Sequence, residues 1–321
     1  MYHALSRYPN LVMSMGIIFV YIITILGLKY GKDMLPADEG RDFAVDGKLS
    51  KGKPRGAGII FIIAFILGVV LFSPLRTEYI IYVGLVFIEM MTGYLDDKAE
   101  VSWGRLKKGF MDLLVAVLLA AAFIHYNGNV LYNVFIDHFV TIPLWIYVPF
   151  IVALAWISIN VTNCADGVDG LSGILTLATI MSFYLSDLSF VSIGRFSYML
   201  LYFAAGLLAY LWYNATPSEL LMGDAGSRAM GIFIAIVALK SKMAFLYIPF
   251  AFMLILDGGL GLFKVTFIKV FKVNPLKNIR TPLHDHVRKN LPKTWSNTQV
   301  VIRFFIIQVI ISLITVFIIL R

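Results

Sequence analysis

Continuous apolar runs of 15 to 20 residues recur along the whole chain and constrain its fold more than any other feature. Each run is close to the roughly 20 residues that an α-helix needs to cross a bilayer. A transmembrane barrel would instead alternate apolar and polar residues over about ten positions. The composition, 60% hydrophobic and 14% charged, also excludes an ordinary soluble enzyme, in which about 25% of residues are charged. The sequence therefore predicts an all-α polytopic integral membrane protein.

Hydropathy predicts about ten transmembrane helices within one transmembrane domain over residues 1–321. Lys240 and Lys242 separate the eighth span from the ninth, because a lysine in the middle of the bilayer costs about 3 kcal/mol. An even number of spans places both termini on the same side of the membrane. The predicted spans are 11–29, 57–75, 79–95, 110–126, 143–161, 170–188, 196–213, 229–247, 244–263 and 300–320.

In a soluble protein, the net charge of +8 would suggest binding to nucleic acid. In a membrane protein, the distribution of this charge among the loops first indicates the orientation in the bilayer. Twenty lysines and arginines fall in the odd-numbered loops, and six fall in the even-numbered loops and at the termini. The positive-inside rule places the odd-numbered loops in the cytoplasm and both termini outside. We therefore expect a lipid bilayer, and no nucleic acid, as the partner of this charge.

Four polar motifs collect on the predicted cytoplasmic side. Each has an ordinary structural explanation, such as a solvated helix end, a turn capped by Asp169, or a solvated loop. Because all four motifs lie on the same predicted side of the membrane, a functional site is favoured. The motifs are Asp-Asp at 96–97, Asn-x-x-Asp-Gly-x-Asp-Gly at 163–170, Met-Gly-Asp-x-Gly-Ser at 222–227 and Thr-Pro-Leu-His-Asp-His at 281–286.

Carboxylates dominate these motifs, and no cysteine and histidine cluster has the spacing of a zinc site. Oxygen ligands suit Mg²⁺ or Mn²⁺, and Mg²⁺ commonly bridges to phosphates. Nearby histidines and lysines would neutralise a diphosphate, so the motifs favour phosphoryl transfer at the membrane surface. The chain has no Walker-type loop and no Gly-x-Gly-x-x-Gly motif, which excludes a standard nucleotide-binding fold.

The four motifs, in this order, resemble those of the polyprenyl-phosphate N-acetylhexosamine-1-phosphate transferases, especially the bacterial branch that uses a MurNAc-pentapeptide donor. The resemblance extends from Lys53 to about Ile307. It implies a multi-pass protein of the bacterial inner membrane, often a homodimer, whose cytoplasmic site binds Mg²⁺ and UDP-MurNAc-pentapeptide. Undecaprenyl phosphate would attack the β-phosphorus of the donor and release UMP, forming lipid I for peptidoglycan synthesis.

The resemblance also implies residue roles. Asp224 corresponds to the metal ligand, and Asp96 and Asp97 correspond to an acidic pair that handles the lipid phosphate. Because the second pKa of a phosphate monoester is about 6, we expect this pair to place charge and metal rather than remove a proton. One-step displacement and a two-step route through an aspartyl phosphate both stay open. The substrate-binding candidates are Lys51, Asn163, Asp166, Asp169, Asn214, Gly223, Ser227, His284 and His286.

Two departures from the family pattern leave the donor open. Where the family has three consecutive histidines, this chain has His-Asp-His at 284–286. Where the family has Lys-x-Gly-Thr-Pro-Thr-Met-Gly-Gly, this chain has Lys-Gly-Lys-Pro-Arg-Gly-Ala-Gly at 51–58. UDP-GlcNAc or another hexosamine donor is therefore an alternative. The basic stretch at 280–293 favours the more anionic, peptide-bearing donor, although the same charges also suit anionic lipid headgroups.

A cation-coupled transporter is a second alternative, from a different functional class. It would rely on ionisable side chains within the membrane. Glu89, Asp112 and Asp257 are the acids placed within predicted spans. They lie near span ends or beside a glycine pair, which makes this alternative the weaker one.

Overall fold

The computed structural model describes residues 7–40, 47, 50–99, 101, 103–133, 136–190 and 194–319. Helices dominate these residues, with one short hairpin. The elements are α1 (Pro9–Gly31), α2 (Gly58–Phe72), α3 (Thr77–Asp97), α4 (Arg105–Asn127), β1 (Val130–Asn133), β2 (His138–Thr141), α5 (Leu144–Cys164), α6 (Leu171–Phe190), α7 (Ser197–Asn214), α8 (Gly223–Lys240), α9 (Tyr247–Phe250), α10 (Phe252–Leu254), α11 (Leu260–Phe271), α12 (Leu283–Lys289) and α13 (Asn297–Ile319).

Every predicted span coincides with helical structure, which confirms the all-α polytopic class. Within the described ranges, six helices are long and apolar enough to cross a membrane on their own. A seventh candidate is the pair Ala244–Phe250 and Phe252–Phe271, which is bent by 69°. The count of ten spans and the outside location of both termini stay predictions.

Helix α8 lies at the centre of the fold. All of its residues from Gly223 to Leu239 are buried, and it packs against α2, α3, α4, α5 and α6. The helix begins at Gly223, so the predicted start at residue 229 was too late. Hydropathy missed the first turns because Asp224 and Arg228 are charged, and their charges are paired inside the protein. The Met-Gly-Asp-x-Gly-Ser motif is therefore mostly helical and is not a loop.

A break after α9 bends the chain. Pro249 cannot donate a backbone hydrogen bond, and Gln308 of α13 satisfies the groups left free around the break. Its Nε2 donates to Pro249 O at 3.0 Å, and its Oε1 accepts from Met253 N at 2.9 Å. The π-helical turn Ile255–Gly259 follows and carries Asp257 into the protein interior.

The hairpin was not predicted, because strands of four residues are too short to produce a clear alternation. Strands β1 and β2 are antiparallel, with Val130 opposite Thr141. They connect α4 to α5, and Tyr132 N donates to Lys242 O at 2.8 Å. The hairpin thus lies at the end of α8 opposite Gly223.

Candidate active site

The carboxyl end of α3 meets the amino end of α8 at very short range. Gly93 allows this approach, because a Cβ at that position would overlap Asp224 O. Gly223 has a φ of +72°, and a Cβ there would overlap the Asp97 carboxylate. Asp97 Oδ2 also accepts a hydrogen bond from Ala225 N at 3.2 Å. These glycines bring the acidic pair beside Asp224.

Arg55, in the segment before α2, links three carboxylates. Its Nε lies 2.8 Å from Asp97 Oδ1, its Nη1 3.0 Å from Asp38 Oδ1, and its Nη2 3.6 Å from Asp224 Oδ1. Burial alone would lower the pKa of Arg55, but the Asp97 and Asp224 carboxylates raise it above its ordinary value. The pKa of Asp38 is lowered: burial opposes ionisation, but hydrogen bonds from Ser50 and Arg55 outweigh it. Both groups are thereby held in their charged forms.

Lys108, in the first turn of α4, forms the second cationic bridge. Its Nζ lies 2.5 Å from Asp96 Oδ2 and 2.9 Å from Asp224 Oδ2. Asp96 Oδ1 accepts a hydrogen bond from Trp103 N at 2.5 Å. Four carboxylates, at positions 38, 96, 97 and 224, thus face the cations of Arg55 and Lys108. When all are ionised, the cluster carries two uncompensated negative charges.

A cavity of about 420 Å³ opens beside this cluster. Its volume lies in the usual range for small-molecule sites, about 300 to 1,000 Å³. The cations that line it are Lys53, Arg55 and Arg288. The predicted residues that line it are Asn163, Asp166, Asp169, Asn214, Gly223 and Asp224.

Two asparagines of the cavity differ in their role. Asn163 Nδ2 donates to Ser227 Oγ at 2.9 Å, which connects α5 to α8. Asn214 accepts from Gly170 N at 2.7 Å and donates to Leu220 O at 2.8 Å. Because both ends of the Asn214 amide bind backbone, this side chain shapes the cavity wall.

The two aspartates of the 163–170 motif are held by neighbouring serines. Asp166 Oδ1 accepts from Ser172 Oγ at 2.6 Å, and Asp169 Oδ2 accepts from Ser218 N at 3.2 Å. Lys53 Nζ donates to Ser218 Oγ at 3.0 Å. These contacts place two carboxylates and one ammonium group on the same cavity wall.

His284 is fixed by Asp257 from the π-helical turn. Its Nδ1 donates to Asp257 Oδ2 at 2.7 Å, and its backbone N donates to Asp257 Oδ1 at 2.7 Å. Burial alone would lower the pKa of His284, but the Asp257 carboxylate raises it above its ordinary value. Gly167 leaves room for the other side of the ring, because a Cβ there would overlap Nε2. His284 thus contacts the 163–170 motif.

His286 and Asp285 of the 281–286 motif contact two arginines that flank the motif, Arg280 and Arg288. His286 Nδ1 accepts from Arg280 N at 3.2 Å. Asp285 lies 3.6 Å from Arg280 Nε and 3.5 Å from Arg288 Nη1. The negative charge of Asp285 is therefore paired with cations, one of which lines the cavity.

A model of the family described as glycosyl transferase family 4 matches residues 79–242. The chain is also 41% identical, over 293 residues, to the phospho-N-acetylmuramoyl-pentapeptide-transferase of Treponema pallidum (strain Nichols), which covers 85% of this chain and 80% of the relative. The chain belongs to glycosyl transferase family 4. Proteins of the same name from Rickettsia prowazekii (strain Madrid E) and Bartonella quintana (strain Toulouse) are 30% and 26% identical to this chain. These matches cover 83% and 93% of this chain and 80% and 88% of the relatives.

The family match confirms the resemblance that the motifs predicted. It extends from α3 to α8 and includes three of the four motifs; the 281–286 motif lies beyond it. With the apolar helices, it identifies the chain as a multi-pass bacterial membrane protein of a phosphosugar transferase family.

The structure places most predicted site residues together. Asp96, Asp97 and Asp224 form the acidic centre, and Ser227 lies beneath the cavity wall. Lys51 is exposed and is absent from the described cavity lining, where Lys53 is found instead. His284 lies behind that lining, against Gly167, and His286 is on the same helix, α12.

Sequence reasoning missed four residues of the site: Asp38, Arg55, Lys108 and Asp257. Lys108 was counted only as an orientation charge, Arg55 was counted in the same way and quoted within the 51–58 segment without a role, and Asp257 was considered only for transport. One usable signal was that acids close to the membrane need a cationic partner, for which the loop lysines and arginines were the candidates. Nothing in the sequence indicated which cation would pair with which acid.

Metal binding at Asp224 fits the chemistry of the donors. Within the described ranges, no three His, Cys, Asp or Glu side chains converge as a ready metal cage. Mg²⁺ in phosphoryl-transfer sites commonly uses one or two carboxylates together with substrate phosphates and water. The oxygen donors and the two uncompensated negative charges are therefore suited to a divalent cation that binds with a diphosphate.

The acids considered for transport each have a basic or imidazole partner. Glu89 and Asp112 pair with Arg228, and Asp257 pairs with His284. Arg228 had been counted with the cytoplasmic loops, but it is buried in α8 with 2% of its surface exposed. The Arg228 charge therefore lies in the protein interior. The three buried acids are explained by their partners, without a pathway for cations.

Proposed function

We propose that this phosphosugar transferase moves phospho-MurNAc-pentapeptide from UDP-MurNAc-pentapeptide to undecaprenyl phosphate, forming lipid I and UMP. The observation that carries the proposal is the meeting of Asp96, Asp97 and Asp224 at the rim of one cavity. The 41% identity to a phospho-N-acetylmuramoyl-pentapeptide-transferase supports this donor.

The donor is proposed to bind with its nucleoside in the cavity and its diphosphate toward Asp224. Asn163 and Asp169 offer polar groups for the nucleoside. Lys53, Arg55 and Arg288 supply positive charge at the same walls. Four aspartates, at positions 38, 166, 169 and 224, line the same cavity, so a bound cation would be needed beside an anionic donor.

In this proposal Asp224 would hold Mg²⁺ beside the diphosphate of the donor. When bound, it would neutralise charge on the phosphoryl group under attack. The two uncompensated negative charges of the cluster support this assignment. Lys108, which contacts Asp96 and Asp224, would hold its ammonium group close to the reacting phosphates.

Asp96 and Asp97 are proposed to orient charge rather than to remove a proton. Asp96 already accepts from Trp103 N and from Lys108, and Asp97 accepts from Arg55 and from Ala225 N. Both carboxylates are therefore already occupied by donors of the protein. The lipid phosphate is itself mostly ionised at neutral pH, since its second pKa is about 6.

A cytoplasmic site and a homodimer are also proposals. The excess of lysine and arginine in the odd-numbered loops supports the cytoplasmic location, and it persists after the buried Arg228 is set aside. The homodimer depends on the family resemblance, and the mass of the detergent-solubilised particle tests it.

Product analysis tests the proposed reaction. Purified protein is incubated with UDP-MurNAc-pentapeptide, Mg²⁺ and undecaprenyl phosphate, and both UMP and the lipid product are measured. We expect equal amounts of UMP and lipid-linked product, and neither when undecaprenol replaces the phosphate or when the metal is chelated. UMP release without a lipid product would refute transfer.

A further inference from the structure

A buried ionic triad lies in the interior of the helical bundle. It consists of Arg228 of α8, Glu89 of α3 and Asp112 of α4. Arg228 Nη2 lies 3.3 Å from Glu89 Oε2 and also contacts Asp112. Asp112 Oδ2 accepts from Asn160 Nδ2 at 3.1 Å. All three members of the triad are at most 3% exposed.

The triad joins the same three helices that carry the acidic centre. Its members lie four residues from Asp224, four residues from Lys108 and seven residues from Asp96. At 1.5 Å per residue, these separations are about 6 Å, 6 Å and 10 Å along the helix axes. The triad therefore lies one to two turns below the Lys108 bridge.

Stability alone is a poor explanation for this arrangement. Arg228 Nε and Nη1, and Glu89 Oε1, have no hydrogen-bond partner in the part of the chain that the structure describes. A buried ion pair with unsatisfied atoms is often no more stable than well-packed apolar residues. What the triad provides is a defined geometry among α3, α4 and α8.

We propose that the triad is a positioning network for the transfer reaction. It fixes the spacing of the three helices so that Lys108 reaches both Asp96 and Asp224. Arg228, Glu89 and Asp112 act through these residues and do not touch the substrate. The proposal rests on the proposed function, since it assigns a role in that reaction.

The network predicts a particular kinetic effect. In the proposed function the nucleoside contacts Asn163 and Asp169, and neither residue lies on α3, α4 or α8. Loss of the triad should therefore lower kcat while the KM for the nucleotide sugar changes little. A partly unfolded preparation would also lower the apparent kcat at unchanged KM, so kcat is calculated per folded protein, with the folded fraction measured on the same preparation.

The chain contains a matched control cluster on the same three helices. Lys240 Nζ of α8 lies 2.8 Å from Glu78 Oε1 of α3 and 2.8 Å from Asn127 Oδ1 of α4. Arg228 and Lys240 are twelve residues apart, about 18 Å along the helix. This control cluster joins the helices at the end remote from the acidic centre.

The test compares a triple variant, E89Q/D112N/R228M, with the control variant E78Q/K240M. Each is purified in detergent, and its thermal midpoint, kcat and KM for UDP-MurNAc-pentapeptide are measured. We expect the triple variant to lose at least fivefold in kcat, with KM within threefold of wild type. The control variant should keep kcat within twofold of wild type, even if its thermal midpoint falls.

A loss below fivefold in the triple variant, or an equal loss in the control, would overturn the proposal. If the triple variant is not recovered folded, the single variant D112N, which replaces one oxygen, is measured in its place. A fall of at least twofold in kcat with KM within threefold of wild type supports the network, and a smaller fall in kcat overturns it. Inactive wild-type protein would refute the proposed function, whereas active wild-type and triple-variant proteins would refute only the network.

Discussion

Replacement of Asp224 by asparagine perturbs the centre of the site with almost no change in shape. Its carboxylate is 9% exposed and lies 2.9 Å from Lys108 Nζ and 3.6 Å from Arg55 Nη2. The variant removes one negative charge and one anionic oxygen from the proposed metal position. A loss of several kcal/mol of charge stabilisation is typical of such a ligand. About 4 kcal/mol corresponds to a roughly thousandfold fall in turnover.

The fold should survive this change. At an effective dielectric constant of about 20, two charges at the Lys108–Asp224 distance attract by about 6 kcal/mol. Lys108 keeps Asp96, however, and Arg55 keeps Asp97 and Asp38. Repulsion among the carboxylates also decreases. We expect a net cost of about 1 kcal/mol, or a fall of about 2 to 4 °C in the thermal midpoint.

The assay measures UMP release across a Mg²⁺ titration, with thermal stability measured on the same preparation. Asp33→Asn is the control, because Asp33 is an exposed aspartate outside the acidic centre. A folded Asp224→Asn protein that keeps more than a tenth of wild-type turnover would refute the assignment of Asp224.

Three further predictions test separate parts of the structure. Gly223→Ala should reduce activity at least tenfold, because its φ of +72° and the adjacent acidic pair exclude a side chain; wild-type turnover would contradict this. The Asp257 carboxylate raises the pKa of His284, so the stabilisation by protonated His284 is complete below its unfolded pKa of about 6.5 and is lost as the pH rises through the folded value. Thermal midpoints of wild type and His284→Asn should therefore differ most at low pH, and a constant difference would contradict the ion pair. In a cysteine-free background, an impermeant thiol reagent should label Asn129→Cys from outside intact cells and should not label Asn278→Cys; the reverse labelling would overturn the orientation.

Hydropathy predicted the helices well where their side chains face lipid. The helix from Asn297 to Ile319 is apolar throughout and was predicted to within a few residues. The method failed at the start of α8, because the charged residues there are neutralised by partners on other helices. An average over neighbouring residues cannot register a partner that is distant in sequence.

The same limit applies to the site. The aspartates could be predicted because each occurs in a compact motif on one predicted face. Their cations could not, because Arg55 pairs with an acid 42 residues away and Lys108 with one 116 residues away. Such pairs depend on how the helices pack, for which the sequence contains no local signal.

Donor preference tests the proposed function most directly. Wild-type protein is assayed side by side with UDP-MurNAc-pentapeptide and UDP-GlcNAc, using undecaprenyl phosphate and Mg²⁺ in both reactions. We predict that kcat/KM is at least tenfold higher for the MurNAc-pentapeptide donor, a difference of about 1.4 kcal/mol in transition-state binding. Equal values, or a preference for UDP-GlcNAc, would contradict the proposed donor.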